Sequence, residues 1–437
     1  MQFQSKWVRL AIWIPVLTAV LSVAAYGWSL ALPFIADDYL QITLGRQYGP
    51  PWKWAELAAD PLYRCRATSL VATWLTEPWA GLDPYWYNVS SLLLHIINTW
   101  LVFCLGAWRR IGWKLSAIAA CFFAVYHGQQ EAVVWYSALP ELLVFLFVVA
   151  CVLFWILRYE RPGQARLWYA ASMAAFALAL ASKESAVAAV GLLAIVEFRE
   201  AGDWRRTARR LAPFAALAVV YFAADYAGRN HNQHYGDGTF SLWAPFWATV
   251  PRSMGRMLWV WGWVSLAAMW VWRAKSQVGL VATAACWMVL TLLPYSFLTY
   301  MPVVPSRHTY LAGAGLSLII AAGFVTLQEQ AGKRRGLVAA ITLLIVVHQC
   351  AYLWIRKQRQ YIERAEPTEI LVQSLRDRQG LVDVYCFPYA AQAADLAVSL
   401  RIGPRVQLRV AGMGRPEIPR PGAVDLCETA LARAAMR

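Results

Sequence analysis

Apolar and polar positions along the 437-residue chain fall in long blocks. Near-continuous apolar runs cover residues 10–32, 86–106, 115–127, 139–157, 167–181, 184–198, 211–227, 256–272, 278–299, 309–328 and 336–355. Runs of about 17–25 such residues cross a bilayer as α-helices. The pattern predicts an all-α polytopic membrane protein with about 11 transmembrane helices, of which the third, fifth and sixth are short. The first run is too long for a signal-peptide core and has no clear small-residue cleavage site, so it reads as a retained helix. Beyond residue 356 the pattern changes. A charged helix-like stretch from Arg356 to Asp377 leads to a strand pattern at 381–387, a helix at 390–400 and a strand at 406–410. The expected organisation is a transmembrane domain over 1–356 and a small C-terminal extramembrane α/β domain over 357–437.

Composition agrees. The chain is 59% apolar, carries 24 Trp and has a mean hydropathy of +0.43, which excludes a soluble protein. The formal charge of +15 would suggest nucleic acid in a soluble protein. Here the basic residues form short clusters between apolar runs: Lys6/Arg9, Arg109/Arg110/Lys114, Arg158/Arg161/Arg166, Arg199 to Arg210, Arg273/Lys275 and Lys333/Arg334/Arg335. With the expected spans, every cluster falls on the side of the N-terminus. The positive-inside rule then puts the N-terminus in the cytoplasm and the C-terminus outside, in the periplasm if the membrane is a bacterial inner membrane. Nucleic acid is not an expected partner. Most of the eight Cys sit inside apolar runs and read as small buried hydrophobes. Cys386 and Cys427 lie in the polar tail, where a disulfide and two free thiols are equally open.

The outer segments carry the candidate chemistry. The first, 33–85, holds Asp37-Asp38, two short amphipathic stretches and many aromatic residues, as interfacial helices do. The others contribute Glu131, the turn Ser182-Lys183-Glu184-Ser185, a polar segment with His231 and His234, and Arg307-His308. Ionisable groups at a membrane boundary are functional suspects, and these converge on one face. Each also has an ordinary reading. The Asp pair can cap a helix, Lys183 and Arg307 can snorkel, and Glu131 can close a salt bridge. His95 and Asn98, three residues apart on one helix face, read as an interhelical polar contact. His231 and His234 read as solvated.

Several ordered strings resemble the GT-C superfamily of polyprenyl-phosphate-sugar-dependent glycosyltransferases, in particular bacterial relatives of protein O-mannosyltransferases. Phe34 to Tyr39 resembles the acidic pair of that family's first outer loop. Cys65-Arg66-Ala67-Thr68 followed by Gly81-Leu82-Asp83-Pro84 resembles its Arg-Pro-Leu-Thr stretch and Gly-Leu-Asn/Asp-Pro. Tyr87 to Asn98, Glu131 to Trp135, Ser182 to Ser185 and Arg307 to Leu311 resemble further family strings. The set covers roughly residues 30–315. The departures are Tyr126-His127 in place of His-Pro, Leu139-Pro140-Glu141 near the expected Arg-x-Asp, and a missing Pro after Arg66. No tetratricopeptide repeats follow.

The resemblance implies an inverting transfer of a sugar from a polyprenyl-phosphate-linked donor to an acceptor hydroxyl on a protein, glycan or lipid. Such a reaction needs a carboxylate to take the hydroxyl proton and cations where phosphate charge develops. The expected assignment is Asp37 or Asp38 as base, Asp37 being favoured, with the other fixing the loop or a cation. Arg66, Lys183, Arg307 and His308 are candidates for the phosphate. Glu131 would hold acceptor, pair with Lys183, or share a divalent metal with the Asp pair. The competing readings are a transporter or flippase of lipid-linked saccharides, disfavoured by polar groups gathered on one face, and a membrane assembly protein.

Overall fold

The computed structural model describes residues 2–231, 236–330, 332, 335–412 and 422–435, and the side chains of these except 2–11 and 335. His234, Lys333 and Arg334, and the side chains of Lys6, Arg9 and Arg335, lie outside the described residues.

All eleven expected apolar segments are helical. In chain order the helices are α1 (Gln2–Tyr26), α2 (Asp37–Tyr48), α3 (Trp54–Ala59), α4 (Ala67–Ala80), α5 (Pro84–Cys104), α6 (Trp113–Val125), α7 (Gln130–Val134), α8 (Leu139–Glu160) and α9 (Ala165–Leu180). Then come α10 (Ala188–Ala201), α11 (Trp204–Ala227), α12 (Phe246–Val271), α13 (Val278–Leu292), α14 (Ala312–Gln330), α15 (Arg335–Tyr352), α16 (Gln358–Ser374), α17 (Ala391–Arg401) and α18 (Ala430–Ala435). Seven helical segments of the described residues are long and apolar enough to cross a membrane, α8 the most apolar of them. The protein is an integral membrane protein.

Local sequence sets the boundaries. Asp83 caps α5 by accepting the Tyr85 amide at 3.0 Å, with Pro84 in the first turn. Asp203 does the same for α11, accepting the Arg205 amide at 2.9 Å. Helices α8 and α14 lie at the centre with nearly all their apolar side chains buried. The small residues of α14 allow close packing: a Cβ on Gly315 would stand 2.6 Å from the Ala284 carbonyl oxygen. Helix α12 is broken at Trp259, whose φ of 39° lies in the left-handed region.

The segment after the first apolar run folds into α2, α3 and α4. Helices α2 and α4 touch closely, and a Cβ on Gly45 would come within 2.6 Å of Thr73 Cγ2. The tail continues the last apolar helix through a π-turn at Leu353–Lys357 into α16. It then forms three parallel strands, β1 (Gly380–Tyr385), β2 (Val406–Val410) and β3 (Val424–Asp425), in the order β2-β1-β3, with α17 crossing between β1 and β2. The expected strands and helix of the tail are present; β3 is additional. Cys386 and Cys427 form a disulfide. Helix α17 packs on α2, which ties the tail to the loop carrying the Asp pair.

Candidate active site

Asp37 and Asp38 open the first turn of α2, where the helix dipole favours carboxylates. Their side chains then part company. Asp38 is 3% exposed, and its two oxygens accept the Ile35 amide at 2.8 Å and the Ser137 amide at 2.7 Å. It pins the loop before α2 to the turn before α8. Burial pushes its pKa up to about 7 against the pull of those amides. Asp37 is exposed and has no hydrogen-bond or ion-pair partner among the described residues. Neighbouring protein still desolvates it and raises its pKa, while the Arg307 guanidinium works to lower it.

Arg307 links Asp37 to a cavity of ≈ 560 Å³. Four cations line this cavity (Arg256, Arg307, Lys357 and Arg364) and one carboxylate, Glu131. Arg307 lies 5.1 Å over the Trp135 ring. Glu131 Oε1 stands 3.2 Å from Arg364 and 3.7 Å from Arg307, and its Oε2 accepts the Ser306 hydroxyl at 2.9 Å. Although burial alone would raise it, the two guanidiniums and these hydrogen bonds leave the Glu131 pKa below the usual range. The break at Trp259 and the π-turn before Lys357 both border this cavity. π-Turns recur at functional sites.

Behind the cavity wall lies a closed network. Lys183 Nζ binds Glu141 Oε1. His308 Nδ1 stands 2.5 Å from the same oxygen, and Tyr295 donates to Glu141 Oε2 at 2.7 Å. Arg307 Nε donates to His308 Nε2 at 3.3 Å, so His308 carries its proton on Nδ1 and donates it to Glu141. The His308 and Tyr295 rings stack at 4.3 Å. Burial, and then the Lys183 charge, push His308 down to about 4, which keeps the imidazole neutral at pH 7. Burial also lowers the Lys183 pKa, opposed by the Glu141 carboxylate.

Of the residues singled out in the sequence, Glu131 and Arg307 line the cavity, and Asp37 lies outside its lining but within the electrostatic reach of Arg307. Lys183 and His308 stand behind the cavity. Arg66 sits apart, its Nη2 3.2 Å from Glu184, and with Thr68 on Ser182 at 2.7 Å it fastens the α2–α4 segment to the Lys183 turn. One expected pairing is corrected: Lys183 binds Glu141, ten residues beyond Glu131, because Glu131 is already engaged by Arg307 and Arg364. Among the described residues, no close group of three ligand-type side chains includes Asp37, Asp38 or Glu131. Asp38 is spent on two amides and Glu131 on its arginines. Among the described residues the only triad of metal-ligand type is Cys386, Asp425 and Cys427, whose two thiols form the disulfide. His95 and Asn98 make the expected interhelical contacts, both to the Tyr310 hydroxyl, at 2.8 and 3.3 Å. Glu141, Tyr295, Arg256, Lys357 and Arg364 were not anticipated. For Glu141 the available signal was a lone acid opening the most apolar run.

No protein-family model and no curated protein matches the chain. Solved structures do. ArnT from Cupriavidus metallidurans bound to undecaprenyl phosphate superposes with a TM-score of 0.56 at 13% identity, over 95% of this chain and 90% of that one. The archaeal oligosaccharyltransferase AglB from Archaeoglobus fulgidus, in complex with an inhibitory peptide and a dolichol-phosphate, gives 0.54 at 10% identity. That match covers 93% of this chain and 65% of the AglB chain. The fold is like that of ArnT and AglB. At such identities the likeness is one of architecture, and what the site does has to be argued from its own residues.

Proposed function

We propose that the protein is a membrane glycosyltransferase that moves a sugar from a polyprenyl-phosphate donor to an acceptor hydroxyl, with inversion. The observation that carries this reading is the pairing of a partnerless carboxylate, Asp37, with a cavity lined by four cations and one acid. The neighbours bound to undecaprenyl phosphate and to a dolichol-phosphate support a lipid phosphate as the anion.

In this reading the donor phosphate lies against Arg256, Arg307, Lys357 and Arg364. Guanidiniums suit it as bidentate partners. The acceptor oxygen attacks the anomeric carbon while Asp37 takes its proton. The bond from that carbon to the phosphate oxygen breaks, and its electron pair leaves on the phosphate, where the cations receive the charge. The raised pKa makes Asp37 a stronger base, and Arg307 keeps it ionised. Asp38 holds the loop. Lys183, Glu141 and His308 fix Arg307 from behind, and Arg66 holds the two outer loops together. Residues 357–437 act as an outer domain that closes one side of the site. The site faces the periplasm and the N-terminus the cytoplasm of a bacterial inner membrane; the basic clusters at the opposite ends of the helices support this orientation.

The test follows a labelled sugar from a polyprenyl-phosphate donor in membranes carrying the full chain. Asp37→Asn is expected to lower transfer by about 10²–10⁴-fold, the usual worth of a positioned base, with the protein folded and inserted. Unchanged transfer in this variant removes Asp37 as the base. Wild-type protein that transfers from no polyprenyl-phosphate sugar, yet moves lipid-linked saccharide across a bilayer, makes the transport reading the correct one.

A further inference from the structure

Helix α8 begins beside the site at Leu139 and ends at Glu160, so its far end lies about 33 Å away at 1.5 Å per residue. A second charged recess opens there between α8, α9 and α11. It measures ≈ 430 Å³ and is lined by Arg158, Ala165, Arg166, Tyr169, Arg209 and Arg210. Two of the four arginines are occupied. The fully buried Glu197 receives Arg158 at 3.0 Å and Arg210 at 2.8 Å, and accepts the Tyr159 hydroxyl at 2.5 Å. Arg158 also lies 4.1 Å over the Trp155 ring. These contacts make a rigid back wall. Arg166 and Arg209 stand at the rim, exposed and without a hydrogen bond or ion pair among the described residues. No acidic side chain lines the recess.

We propose that this recess binds the phosphate headgroup of an anionic phospholipid. An arginine that merely snorkels reaches out from a lipid-facing helix into water. Here two unpaired guanidiniums flank a hollow between three packed helices, the form in which membrane proteins hold anionic headgroups. Guanidinium is suited to the phosphate by its bidentate geometry. On the same helices, Leu167 next to Arg166 and Trp204 in the first turn of α11 are 60% and 67% exposed, apolar surface against which acyl chains would lie. The proposal is independent of the sugar-transfer reading, since it shares no residue with the candidate active site.

The experiment is thermal unfolding of the purified full chain in detergent with added phosphatidylglycerol, phosphatidylcholine or inorganic phosphate, alongside native mass spectrometry. Phosphatidylglycerol is expected to raise Tm by several degrees and to appear as a retained lipid, whereas the other two give no shift. The double variant Arg166→Gln/Arg209→Gln keeps the basal Tm, because neither side chain has an internal partner, and loses both the shift and the retained lipid. Equal stabilisation by phosphatidylcholine, or a shift that persists in the double variant, overturns the proposal. A shift produced by inorganic phosphate alone makes this a soluble-anion site and overturns the lipid assignment.

Discussion

At the far end of the bundle, Glu197 gathers Arg158 and Arg210, and Glu200 gathers Arg109 and Arg110. At the site end, Glu141 gathers Lys183 and His308, Glu131 gathers Arg307 and Arg364, and Asp37 gathers nothing. The buried pairs of the two ends are alike in chemistry. Each satisfies desolvated charges mutually, and each is costly to break because the surviving partner is left buried and alone. What differs is the remainder. At the far end the surplus arginines, Arg166 and Arg209, are exposed at the rim of a recess. At the site end the surplus cations enclose a cavity, and a carboxylate with a raised pKa stands next to it. Closed networks build the walls at both ends; at the site end Arg307 and Arg364 belong to one, through Glu131, and also line the cavity.

Glu141→Ala is the severest test of this contrast. It strands Lys183 and His308 and removes the acceptor of Tyr295, so about 3–5 kcal/mol of stability should be lost. It also frees His308, which holds Arg307 at 3.3 Å. Both Tm and transfer per folded molecule should therefore fall. Glu197→Ala comes next. It strands Arg158 in the same way and should cost a similar 3–5 kcal/mol. Transfer per folded molecule should stay at the wild-type level, measured by normalising activity to the folded fraction. If Glu197→Ala lowers normalised transfer as far as Glu141→Ala does, the two ends are coupled and the contrast fails.

The architecture was largely legible because bilayer crossing needs long apolar runs, and each such run is helical here. The tail strands were legible from their period-two pattern. The candidate site was legible only where polar residues stand in loops. Asp37, Glu131 and Arg307 are conspicuous against apolar flanks. Lys357 and Arg364 sit in a stretch so generally charged that no residue stands out, and Arg256 reads as one more basic residue in a helix. Which partner Lys183 takes was out of reach for another reason. Glu131 and Glu141 are both acids close to the same loop, and only the packing of α8 against α9 puts Glu141 beside Lys183. The different fates of Asp37 and Asp38 depend likewise on the amides of Ile35 and Ser137, the latter 99 residues away in the chain.

The smallest effect sharpens the contrast most. In the proposed mechanism transfer needs ionised Asp37, so its rate should fall as pH falls through the Asp37 pKa, which burial raises and Arg307 lowers. Arg307→Gln removes the lowering, so the acid limb of kcat/KM against pH should move to higher pH. Arg209→Gln at the far end should leave the limb in place. Two other groups near the site titrate but do not confuse this result. His308 stays neutral until about pH 4. Asp38, with a pKa near 7 when folded against an ordinary value of 3.8, binds more protons in the folded state between those values. Its contribution is therefore a loss of stability as pH rises from about 4 to about 7, seen in Tm, and Arg307 is not among the groups that shift it. An acid limb that ignores Arg307→Gln would mean that Asp37 is not the base, and would point to Asp38.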